Sequence, residues 1–169
     1  MSVCIFTTGG TFDKVYFDAK SSYSIGAPMI GELLQEGGVT LPYRVESILR
    51  KDSLELSDAD RQAIFDAVAA APESRILLTH GTDTMPQTAE KLCGIGGKTI
   101  VLTGAMSPAR FRQTDATFNT GFAFAAVQTL PAGVYLAMNG RIFAAGKVRK
   151  NLEQGCFEAI AANGGDNEL

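Results

Sequence analysis

Apolar runs and amphipathic stretches alternate along this chain. Val3-Cys4-Ile5-Phe6 is a short apolar run leading into Thr7-Thr8-Gly9-Gly10-Thr11, and it predicts a first strand that ends in a Gly-Gly turn. Pro28 to Leu34 sets Ile30, Leu33 and Leu34 at helical spacing and is closed by Gly37-Gly38. Tyr43 to Leu49 reads as a second strand. From Ser57 to Ala71 the pattern is that of a helix: Ser57 is an N-cap candidate, acids fill the first turn, and Ile64, Phe65 and Val68 line one face. Arg75 to Thr79, "RILLT", has a buried-strand pattern, and Met85 to Leu92 follows as a helix with Pro86 in its first turn. Lys98 to Thr103 is the next strand, and Thr114 to Leu130 is an Ala- and Phe-rich helix that Pro131 ends. Val134 to Met138 and Arg141 to Ala145 predict a hairpin around Asn139-Gly140, a favoured two-residue turn.

This alternation, with strands that are apolar almost throughout, predicts an α/β fold of three layers: a mostly parallel sheet with helices on both faces. Such sheets bind ligands beyond the carboxyl ends of their strands, near a topological switch point. Three polar, glycine-containing loops then share one address: Thr7 to Thr11, Thr79 to Thr84, and Thr103 to Met106. The segment from Phe12 to Gly26 shows no sustained apolar periodicity, contains Asp13, Asp18, Ser21, Ser22 and Ser24, and is expected to be a mobile lid. The last dozen residues are Gly-, Asn- and acid-containing and expected to fray. Residues 1–160 are read as a single domain, with 161–169 a flexible tail.

Composition narrows the function classes. A chain of 169 residues with 46% hydrophobic and 20% charged residues fits one globular domain. A net charge of −3 offers no clustered basic surface for nucleic acid. No segment is long and apolar enough to span a membrane, and the N-terminus runs straight into a strand without a basic leader, so a cytoplasmic, reducing environment is expected. Cys4, Cys93 and Cys156 lack CxxC spacing and, with the single His80, make no recognisable zinc or iron–sulfur set; neither metal nor cofactor is expected. Cys4 reads as a small buried hydrophobe.

The loops themselves suggest chemistry. Glycines there let backbone approach a ligand closely, yet neither Gly-rich stretch fits GxxxxGK[ST] or GxGxxG. Threonines capping helices beside turn glycines would account for either loop alone. They do not account for two loops that both read Gly-Thr, the second adding an acid. A threonine hydroxyl is a weak nucleophile and needs a base. His80 is one candidate, with a satisfied structural role as an equal reading, and a desolvated lysine is another. Spacing does not choose among the lysines. The residues alone thus point to a hydroxyl-based hydrolase with an open substrate.

"TTGGTF", then "THGTDTM", then "LTGAM" with a proline soon after, together resemble the bacterial-type L-asparaginases. The resemblance spans nearly the whole chain but matches only the larger N-terminal domain of the usual enzyme, as in short single-domain members. It implies a Rossmann-like fold of the asparaginase N-terminal type and hydrolysis of L-asparagine through a threonine nucleophile and an acyl-enzyme. On the matching positions, Thr11, beside Gly10, corresponds to the primary nucleophile, and Thr82 and Asp83, behind Gly81, to the second threonine and its acid. Counting from Met138-Asn139 through Val148 sets the catalytic lysine at Lys150. Asp52 and Ser53, in "RKDSLEL", fall where the substrate α-carboxylate is held. The N–H of Ala105, with that of Thr82, corresponds to the oxyanion hole. Tyr16 and Tyr23 are both retained for the lid tyrosine, and Phe12 stands where the family usually has isoleucine. Free L-asparagine, with L-glutamine weaker, is the implied substrate. The Ala- and Phe-rich helix, with Phe118, Phe122 and Phe124, adds the expectation of a homo-oligomer, a dimer or larger. Two other readings stand beside this one: an amidase subunit of a larger amidotransferase, and an amino-acid sensor, which would need Asp83 and Ser53 but not Lys150.

Overall fold

The computed structural model describes residues 1–17 and 22–160; Asp18, Ser21 and the 161–169 tail lie outside the described residues. Strand β1 (Val3–Gly9) leads into a 3-10 turn, Thr11–Asp13, followed by β2 (Lys14–Phe17), β3 (Ser22–Ile25) and α1 (Ile30–Glu36). Then come β4 (Tyr43–Lys51), α2 (Asp58–Ala70), β5 (Arg75–Thr79), α3 (Met85–Leu92), β6 (Thr99–Thr103) and α4 (Ala116–Thr129). Strands β7 (Gly133–Met138), β8 (Arg141–Ala144), β9 (Val148–Asn151) and β10 (Cys156–Ala159) complete the order.

Six strands form one sheet in the order β4-β1-β5-β6-β7-β8, parallel from β4 through β7, with β8 antiparallel at the edge. Alternate residues of each central strand feed opposite faces. Ile76 and Leu78 of β5 and Ile100 and Leu102 of β6 pack with α2 and α3 through Ile64, Val68, Ala89 and Leu92. Leu77 and Val101, one residue out of phase, pack with α1 and α4 through Ile30, Leu34, Ala123 and Val127. Both faces are covered, which is why these strands are apolar without alternation. α2 starts where expected: Ser57 accepts from the Asp60 N–H while Asp60 accepts from the Ser57 N–H, a reciprocal capping box.

Strand order fixes the switch point. From β1 the chain moves outward to β4, and from β5 it moves the other way to β6. The loops leaving β1 and β5 therefore diverge, opening a crevice between them.

Two elements depart from the sequence reading. The segment 12–26 is not irregular throughout: β2 and β3 form an antiparallel ribbon in which Tyr16 pairs with Tyr23, their rings 5.3 Å apart. Tyr16 and Tyr23 are both exposed, so no buried face imposes the alternation that betrays a strand. β9 and β10 form a second hairpin, placing Val148 to Lys150 of the basic stretch on a strand and extending order to Ala159, inside the dozen residues expected to fray. Val148 and Phe157 seat this hairpin in the core.

Candidate active site

The crevice is closed in from three sides by loops that touch through glycine. Gly10 has φ 79°, and any side chain there would overlap the backbone of Gly81. A Cβ on Gly81 would in turn stand 2.6 Å from the Cβ and Oγ of Ser53. The glycines ahead of Thr11 and Thr82 are thus needed for contact between the loops after β1, β5 and β4. Hydrogen bonds fasten the same junctions. The Gly10 N–H donates to Lys51 O at 2.9 Å and the His80 N–H to Thr103 O at 2.9 Å. The Thr8 hydroxyl donates to Thr79 O at 3.0 Å, and that of Thr84 to Ser53 O at 2.8 Å.

Lys150 enters from the far end of the chain. Its Nζ lies 2.8 Å from Thr82 Oγ1 and 2.6 Å from Asp83 Oδ1. The lysine side chain is 14% exposed and that of Asp83 32%. Strand geometry explains the choice within 147–150: Val148 and Lys150 share one face of β9, and Val148 is buried. Arg149, on the other face, pairs with Glu158 at 2.8 Å, and Lys147 is exposed.

His80 is fully buried between two partners, Gly81 O at 2.7 Å from Nδ1 and Thr88 Oγ1 at 2.8 Å from Nε2. A carbonyl only accepts, so Nδ1 carries the proton and Nε2 accepts from the Thr88 hydroxyl. Burial pushes this imidazole down to about 4, leaving it neutral at physiological pH. His80 holds the carbonyl of Gly81, directly ahead of Thr82.

Ser53 is 1% exposed, and its Oγ has no partner among the described residues. Asp52 faces elsewhere: its carboxylate accepts from the Leu54 N–H at 3.2 Å and pairs with Lys14 at 2.9 Å, linking this loop to β2. Ala105 is buried on the loop after β6, and Thr11 opens the 3-10 turn beside Gly10. The ring of Tyr23 lies 6.4 Å from that of Phe111. Gly10, Ser53, Gly81, Thr82, Asp83 and Lys150 thus form one contiguous set, Thr11 and Ala105 flank it, and Tyr16 and Tyr23 stand on the ribbon. Sequence reasoning counted Asp13 only as a polar residue of the expected lid and passed over Asp115 and Asn119 behind the loops. Asp13 is buried and accepts from the Met29 N–H at 2.9 Å. Asp115 and Asn119 brace the loop after β6; their spacing at a helix start was the readable signal.

Residues 2–163 match the family model described as "Asparaginase, N-terminal". The chain belongs to the asparaginase family. It is 31% identical over 169 aligned residues to the glutaminase-asparaginase of Acinetobacter glutaminasificans, an alignment covering 89% of this chain and 50% of that protein. It is 28% identical over 170 aligned residues to the L-asparaginase of Thermococcus kodakarensis, covering 95% of this chain and 51% of the other. The solved thermostable L-asparaginase of that organism superposes with a TM-score of 0.82 at 26% identity, over 96% of this chain and 52% of the other. The chain spans about half the length of the curated relatives it matches. Among the described residues, no helix is long and apolar enough to cross a membrane, and no group of three or more His, Cys, Asp or Glu could hold a metal ion.

Proposed function

We propose that this asparaginase-family chain hydrolyses L-asparagine to L-aspartate and ammonia, with L-glutamine a poorer substrate, through an acyl-enzyme on Thr11. The observation that carries the reading is Lys150 Nζ within hydrogen-bond reach of both Thr82 Oγ1 and Asp83 Oδ1. A sensor would need the acid but has no use for a lysine aimed at a threonine hydroxyl. Thr11 Oγ adds to the carboxamide carbon, the C–N bond breaks, and nitrogen leaves as ammonia with the hydroxyl proton. Water then cleaves the ester, giving the side-chain carboxylate and restoring Thr11. Lys150 holds an exchangeable proton beside Thr82. Asp83 spends one oxygen on Lys150 and keeps the other for the substrate ammonium. The free Ser53 Oγ takes the α-carboxylate, and the N–H groups of Thr82 and Ala105 receive the oxyanion, a contribution worth ~10²–10³ in rate per donor. The ribbon with Tyr16 and Tyr23 closes over this set. Asp52 serves it by shaping the turn that presents Ser53.

Residues 1–160 act as one unit in this proposal, as a homo-oligomer, supported by Phe118 at 60% exposed and stacked on Phe122. A reducing, cytoplasmic location fits three free cysteines, Cys93 among them exposed. The test is ammonia release from L-asparagine, D-asparagine and L-glutamine. L-Asparagine is expected fastest, and Thr11→Ala is expected to abolish the acyl-enzyme burst. Silence on both L-amides would overturn the reaction. Near-parental turnover by Thr11→Ala would overturn the nucleophile.

A further inference from the structure

Helix α4 begins against the loop that leaves β6, and the joint is polar. Asp115, just ahead of the first turn of α4, accepts from the Met106 N–H on both carboxylate oxygens, at 3.0 and 3.1 Å, and from the Ser107 N–H at 3.1 Å. Its Oδ2 also receives the side-chain amides of Asn119 at 3.0 Å and Asn139 at 3.2 Å. Asn119, one helical turn on, is wholly buried. Its Nδ2 also donates to Gly104 O at 3.0 Å, and its Oδ1 accepts from the Asn139 N–H at 2.9 Å. The Gly104 N–H donates to Met138 Sδ at 3.2 Å. Both N–H groups of the Asn119 amide are used, on Gly104 O and Asp115 Oδ2, while its Oδ1 reaches a second loop at the Asn139 N–H. Asp115 is half-buried and Asn139 exposed, so the buried Asn119 amide is the centre of the network, and losing it strands the Gly104 carbonyl.

Ala105 lies inside the clamp, between a Gly104 held at its N–H and its carbonyl and a Met106 held at its N–H. We propose that Asp115 and Asn119 are positioning residues that fix the 104–107 loop and the 139–140 turn on the start of α4 and thereby aim the Ala105 N–H. The inference rests on the proposed amidase reaction, in which that N–H receives the oxyanion. A donor that must meet charge appearing only in the transition state has to be aimed before the reaction, and misplacement by ~1 Å costs ~10²-fold.

Asn119→Asp and Thr120→Ala separate this role from ordinary stabilisation. Asn119→Asp removes the donor to Gly104 O and sets a second carboxyl against Asp115. Thr120 is buried next along the helix and donates only within it, to Ala116 O at 2.7 Å, so Thr120→Ala weakens α4 without touching either loop. Asn119→Asp is expected to lower kcat by ~10²-fold with KM little changed, the mark of an interaction made in the transition state. Its kcat relative to the parent should recover as pH falls from 8 to 5, because the introduced carboxyl, once protonated, again offers a donor to Gly104 O. Amide hydrogen exchange should speed up across 104–107 and 139–140 and stay parental in β5. Thr120→Ala should lower Tm and leave kcat parental. Equal kcat losses in the two variants, a relative kcat for Asn119→Asp that is flat with pH, or parental exchange at 104–107 would each overturn the proposal. A parent that releases no ammonia would sink the reaction and the catalytic part of the inference, while the exchange measurement still decides the clamp itself.

Discussion

Lys150 is the residue on which the proposed chemistry turns, and its neighbours supply the control. Lys150→Met keeps the stem and removes the ammonium, so it should fold normally and lose activity by ~10² or more, the scale of losing a positioned acid or base. Lys147 is exposed two residues before Arg149, and Lys147→Met should cost little. Equal, mild losses in the two variants would show that the contact with Thr82 and Asp83 plays no part in turnover. Asp13 makes a second residue-scale prediction. Burial pushes its carboxyl up to about 6 from an ordinary 3.8, against the Met29 N–H and the charges of Arg110 and Arg50, which pull it down. A group raised on folding contributes stability below its unfolded value and loses it as pH rises through the folded one, here ~3 kcal/mol between pH 4 and 6. Asp13→Asn keeps an acceptor for Met29 and cannot ionise. It should raise Tm by several degrees at pH 8 and lose that advantage near pH 4. His80, pushed down, costs stability with the opposite sign as pH falls from 6.5 to about 4, but equally in both proteins, so the difference isolates Asp13. An equal Tm gap at both pH values would refute the assignment.

Among the elements, the β2–β3 ribbon is held to the body by a few polar contacts. The Gly26 N–H donates to Asp13 O at 2.7 Å, and the Ala109 N–H to Phe12 O at 3.0 Å. The Lys14–Asp52 ion pair, 27% exposed on each side, joins the ribbon to the turn that presents Ser53. Lys14→Met should therefore loosen the ribbon and disturb Ser53 together. Proteolysis within 12–26 should quicken, L-aspartate should protect less than in the parent, and KM should rise more than kcat falls. Parental cleavage rates with and without L-aspartate would show that the pair does not hold the ribbon. Periodicity located β5 and α3 at their ends because each has a fully buried face. It left the ribbon unread because its Tyr16–Tyr23 pair lies outside any core, and tertiary contact, not pattern, orders it.

At the scale of the molecule, the exposed Phe118, stacked on Phe122, lies within 4 Å of where a Cβ on Gly140 would stand, near the edge strand that carries the exposed Ile142. A second copy covering this edge is the simplest outcome of closed symmetry. Light scattering at micromolar concentration should give a dimer or larger, and Phe118→Asp should shift it toward monomer. A monomer mass for the parent would remove the proposal.

The alternation of apolar strands with capped helices determined the three-layer α/β order, because both faces of a parallel sheet must be buried and that demand is written along the chain. The same pattern marked three strand-end loops as one site, since parallel strands deliver their carboxyl ends to one edge. Which lysine reaches those loops was not in the local pattern. Lys147 and Lys150 stand in the same basic run, and their difference arises only when β9 pairs with β10 and Val148 enters the core, turning Lys150 toward Thr82 and Asp83. The role of His80 was likewise open until its two partners came from Gly81 and from Thr88 on α3. The clamp of Asp115 and Asn119 needed the fold for the same physical reason. Hydrogen bonds between residues distant in sequence leave no period along the chain, so packing alone decided them.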